Sequence, residues 1–91
     1  MDDKYEILTE YVNISKYRKK VFLALKDGSK KPSDIARETD LEINHVSYSL
    51  KQLTEKELVY LLNPEDRKGR LYKLTEDGRK IINEIIKTVE N

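Results

Sequence analysis

Between residues 32 and 62 a short helical pattern and a longer one, joined by a tight turn, are followed directly by a short apolar run of β-formers. The segment PSDIARET opens on Pro32, a favoured first-turn residue, and sets Ile35 and Ala36 where a short helix would bury them. Asp40-Leu41 leaves room only for a tight turn. A longer helical pattern then runs from about Glu42 to Lys56, with Val46, Leu50 and Leu53 on one side and Ile43 at the margin. After it come two short segments rich in β-formers, Leu58–Leu62 and Leu71–Leu74. They flank a polar stretch holding Gly69, which supplies the positive φ that a hairpin tip asks for.

The flanks of this unit are helical. Ser15 is a good N-cap, and behind it Tyr17, Val21, Ala24 and Leu25 form a stripe ended by Asp27-Gly28. The first twelve or so residues carry the same spacing through Tyr5, Leu8 and Val12. At the other end Thr75 caps a last helix, with Glu76 and Asp77 in the first turn, where the helix dipole favours negative charge. The fold class expected is α+β, mostly α: helix, helix, short helix, helix, a two- or three-stranded hairpin, helix. It forms one domain over residues 1–91, with 1–14 as an N-terminal extension and 76–91 as the C-terminal helix.

Composition narrows the function classes. Ninety-one residues lie near the lower limit for a single unaided core, and the absence of cysteine removes disulfides and thiolate chemistry. Charged residues make up 38% and apolar ones 37%, with no apolar run of bilayer length, so no membrane partner is expected. The acidic start MDDKYEILTE is unlike the basic beginning of a secretion signal, and a cytoplasmic location is the expectation. His45 is the sole histidine and has no companion ligands, so neither a metal nor a cofactor is expected. There is no glycine-rich phosphate loop and no nucleophile beside a base, hence no enzyme.

The net charge of +1 conceals a strong segregation. Residues 16–31 hold seven bases against Asp27 alone, a net of +6. Residues 58–75, which include EDRKGRLY, come to +2, while the remaining segments are all negative. A fold that joins the two basic blocks makes a basic surface. Opposite its apolar side, the helix from about Glu42 to Lys56 shows Asn44, His45, Tyr48, Lys51 and Gln52, flanked by Ser47, and this outer face has no acid until Glu55. These groups hydrogen-bond to base edges and phosphates. A short helix, a tight turn and a longer helix make a helix-turn-helix pattern, and the basic hairpin behind it reads as a wing.

The run PSDIARETDLEINHVSYSLKQLTEKELVYLLNPEDRKGRLYKLTEDG resembles the winged helix-turn-helix of MarR-like regulators, especially the small archaeal forms. The likeness spans roughly residues 15–80 and rests on the helix entry Leu41–Ser47, the DRKGR wing and the helix start Leu74–Gly78. It implies dimeric binding to a pseudo-palindromic duplex, with helix 42–56 in the major groove and wing 63–71 at the minor groove. Carried over by position, Asn44, His45, Ser47, Tyr48 and Lys51 are groove contacts, and Arg67, Lys68 and Arg70 are wing contacts. Ser33 with the start of its helix is a phosphate contact. Asp40 and Glu57 stand where such proteins often have glycine. The chain is also shorter than a typical member, whose extra helices form a ligand pocket, and this argues against a small-molecule effector.

The last helix is more apolar than one docking face requires, and a homodimer through Ile82, Ile85, Ile86 and Val89 is expected. The reading is a sequence-specific regulator of transcription that binds double-stranded DNA, with repression as its expected sign. The alternatives are a winged-helix adaptor between proteins, which a nearly neutral chain also suits, and an architectural binder without sequence preference.

Overall fold

Helix boundaries fall where local chemistry directs them. The computed structural model describes residues 3–90, and the side chains of residues 4–88. The order is α1 (Asp3–Asn13), α2 (Lys16–Ala24), α3 (Pro32–Thr39), α4 (Ile43–Glu55), β1 (Val59–Leu61), β2 (Tyr72–Leu74) and α5 (Glu76–Glu90). Ser15 caps α2 by accepting from the Arg18 amide. Thr75 caps α5 by accepting from the Gly78 amide at 3.0 Å, while its hydroxyl donates to the Glu57 carbonyl. The two positions that lack glycine take the left-handed conformation nonetheless, Asp40 at φ 59° and Glu57 at φ 59°. Each lets the next amide reach back, Leu41 to Ala36 and Leu58 to Leu53, closing the helix with a Schellman-type bond.

Val21, Phe22 and Leu25 carry α2 into the centre of the core, where it packs on α1, α3 and α4. Ile35 from α3 and Val46, Leu50 and Leu53 from α4 complete the inner layer as their spacing requires. β1 and β2 pair antiparallel, with Val59 opposite Leu74 and Leu61 opposite Tyr72. A third partner joins at one residue: Lys30 and Tyr72 exchange both backbone hydrogen bonds, at 3.0 and 2.9 Å. The fold is the mostly helical α+β winged helix-turn-helix expected of the sequence.

Two sequence expectations need correction. Tyr17 does not join the apolar stripe of α2; it is 43% exposed and turned toward α4. Ile82 and Ile85, named for a dimer interface, are buried within the single chain together with Ile81. The α1–α5 packing covers them, so of that set Ile86 alone keeps partial exposure among the described side chains. Val89 lies outside the described side chains.

Candidate nucleic-acid interface

The outer face of α4 is assembled by subtraction. Val46, Ser49, Leu50 and Leu53 turn inward, which leaves Asn44, Ser47, Tyr48 and Lys51 exposed on the opposite side. Tyr48 is 64% exposed, a large phenol in water with no core role. Asn44 accepts from the His45 amide at 3.0 Å and thereby stiffens the first turn. His45 is half-buried: its ring stacks on Tyr17 with centroids 4.3 Å apart and planes 18° from parallel. That stack ties the start of α4 to the start of α2. Ser33 is exposed in the first turn of α3.

Gln52 sits on the same flank as His45 and turns out to be structural. Arg18, only 7% exposed, donates from Nη1 to Gln52 Oε1 at 3.1 Å. Its Nε and Nη2 both donate to the Tyr11 carbonyl, and its guanidinium lies 3.8 Å from the Tyr11 ring centroid. The cluster Lys16–Lys20 is therefore divided. Arg18 is withdrawn from solvent to join three helices, while Lys16 and Lys20 remain exposed. Helical spacing alone does not reveal this, because Arg18 is polar and adjoins exposed neighbours.

The wing is organised by Asn63, a residue the sequence reading passed over. Its Oδ1 accepts from the Leu71 amide at 2.8 Å, and its Nδ2 donates to the Gly69 carbonyl at 3.1 Å and to Asp66 Oδ2 at 2.9 Å. One amide side chain thus closes the loop and engages the acid of the tip. Asn63-Pro64 is a turn-initiating pair, and that was the signal available. Arg67, Lys68 and Arg70 are all exposed, and among the described residues none of them forms an ion pair. Asp66 does not neutralise Arg67, the bland alternative for a basic tip. Gly69, at φ 64°, lies against Lys31, whose Cδ would be 3.9 Å from an added Cβ. Through Lys31 and the Lys30 bridge, the end of the first basic block meets the wing.

A second, exposed helix with an acid-poor outer face, stacked on a basic helix and followed by a cationic hairpin whose tip makes no ion pair among the described residues, defines a winged helix-turn-helix protein. The chain belongs to the winged helix DNA-binding domain family, whose model matches residues 21–78, from α2 into α5. No curated protein matches it. Among solved structures it is similar to BpsR of Bordetella bronchiseptica, whose DNA binding is regulated by 6-hydroxynicotinic acid. That match has a TM-score of 0.76 at 27% identity, covering 84% of this chain and 59% of BpsR. It is similar also to NMB1585, a MarR family regulator from Neisseria meningitidis, with a TM-score of 0.76 at 22% identity, covering 93% and 63%. The homodimeric winged helix-turn-helix domain of Mb0332 from Mycobacterium bovis matches at a TM-score of 0.71 and 15% identity, covering 94% and 78%. The chain spans less than two thirds of the first two proteins. No helix among the described residues is long and apolar enough to cross a membrane.

Proposed function

We propose that this DNA-binding regulator recognises specific double-stranded sequences, placing α4 in the major groove and the wing at the minor groove, and that it represses transcription. The observation that carries the reading is the state of the wing tip. Arg67, Lys68 and Arg70 stand exposed and form no ion pair among the described residues, while Asp66 accepts from Asn63. Cations left without an ion pair are available to phosphates, and the hydrogen bond from Asn63 occupies Asp66 beside them. Asn44, His45, Ser47, Tyr48 and Lys51 supply base and phosphate contacts, and Ser33 contacts phosphate at the start of α3. Lys16 and Lys20 add backbone contacts beside α4.

A homodimer fits the two-fold symmetry of such sites, and the homodimeric Mb0332 domain supports it. The surface for it is the groove between α1 and α5, lined by Tyr5, Lys80, Ile86 and Lys87. The whole chain acts as one domain, in the cytoplasm. No enzymatic activity, metal or effector forms part of the proposal.

Binding to duplex DNA across a salt series tests it. The parent should lose affinity steeply with salt, and Arg67→Ala should weaken binding to all sequences and flatten the slope by about one unit. Asn44→Ala and Tyr48→Ala should instead change discrimination among sequences. An Arg67→Ala chain that binds every duplex as the parent does removes the wing from the interface. Absence of duplex binding at any salt would instead favour an adaptor between proteins.

A further inference from the structure

The folding of α4 leaves one aliphatic side chain in water. Ile43, the first residue of the helix, is 52% exposed, whereas Val46, Leu50 and Leu53 have at most 1% of their surface exposed. Nothing local favours isoleucine there. A β-branched residue is a weak helix former, and Glu42 before it makes no side-chain capping bond. Single exposed apolar residues are ordinary on protein surfaces, so position has to decide. The first turn of the second helix is where a helix-turn-helix meets base edges. Ile43 shares that turn with Asn44 and lies one turn before Ser47 on the same flank. An aliphatic chain pressed into the major groove strands the polar base edges it covers. The thymine 5-methyl is the one apolar partner on offer.

We infer that Ile43 packs on a thymine methyl in each half-site, so that the preferred DNA carries a thymine at a position set by Ile43. The inference rests on the reading of α4 as the groove-facing helix. Asn44 and its neighbours then read by hydrogen bonds, and Ile43 reads by shape and apolarity. Burial of one methyl group makes the contact worth about fourfold in affinity per half-site.

The test is binding selection with the full chain from two random duplex libraries, one containing thymine and the other deoxyuridine in its place. The libraries differ only in the 5-methyl group. The parent should recover a motif with one thymine per half-site whose preference vanishes in the deoxyuridine library. Ile43→Ala should recover the rest of the motif without that thymine, while Ile43→Val, which keeps a branched contact, should retain it. On the selected duplex, replacing that thymine by deoxyuridine should cost the parent about fourfold per half-site and leave Ile43→Ala nearly unaffected. Both variants alter an exposed side chain, and unchanged thermal melts should show them folded. A thymine preference that survives loss of the methyl, or an Ile43→Ala motif identical to the parent's, overturns the contact. A selected motif with no methyl-dependent position overturns the contact and leaves the reading of α4 standing. Recovery of no motif at all overturns both.

Discussion

At Gly78 the absence of a side chain lets the first turn of α5 sit directly on the start of β1. An added Cβ would run into the Leu58 carbonyl oxygen, which already accepts from the Thr75 amide at 3.0 Å. The obstruction is backbone, so no rotamer change relieves it. Gly78→Ala would gain helix propensity at an open site; here it should cost about 1–3 kcal/mol. Chemical denaturation of the variant checks the sign, and a more stable protein would refute the close approach. The glycine of the Leu74–Gly78 motif is thus explained by contact across the fold, although in sequence it is indistinguishable from a turn glycine. Asn63 teaches the same lesson in the wing, where three hydrogen bonds from one side chain depend on residues three to eight positions away.

Among elements, the decisive junction is the one Arg18 makes between α1, α2 and α4. Its charge is buried with no carboxylate within ion-pair distance among the described residues; two peptide-type acceptors and an aromatic face take that place. The planar fork reaches the Tyr11 carbonyl twice and Gln52 once, which a lysine cannot reproduce. Arg18→Lys should therefore destabilise the chain by about 1–3 kcal/mol through the acceptors it leaves unmet. A denaturation midpoint within experimental error of the parent's would show that the junction is dispensable. Because Gln52 lies on α4, this junction also fixes the pose of that helix. The Tyr17–His45 stack does the same in the first turn of α4.

At the scale of the whole molecule, the two ends of the chain are fastened at Asp77. Lys4 Nζ donates to it at 3.0 Å and the Tyr5 hydroxyl at 2.9 Å, joining α1 to the first turn of α5. The Lys4 hydrogen bond, followed by that of Tyr5, holds the Asp77 carboxyl below its ordinary value of 3.8. A carboxylate with a depressed value in the folded state adds stability that is present above the ordinary value. That stability is lost as pH falls through the depressed one. Thermal melts from neutral pH downward should show the parent losing this contribution only below about pH 4. Asp77→Asn should lack that part of the acid limb, and parallel profiles for the two chains would contradict the assignment. The exposed partners keep the effect modest.

Much of this molecule is legible locally. The 3.6-residue period locates the five helices, and short runs of β-formers around Gly69 locate the hairpin, because each signal lies within its own element. Ser15, Pro32, Gly69 and Thr75 mark boundaries through bonds and angles that span at most four residues. The outward set Asn44, Ser47, Tyr48 and Lys51 follows from the same geometry, since burying Val46 and Leu50 fixes what must face away. Tertiary structure decided the rest. It chose which cation of Lys16–Lys20 would be buried, turned Tyr17 onto His45, and consumed Ile82 and Ile85 inside the chain. It also made Gly78 indispensable at the Leu58 carbonyl. Each of those outcomes depends on partners at least seven positions away, and for α1 against α5 on partners at the other end of the fold, so a side chain's own neighbours in sequence carry no record of them.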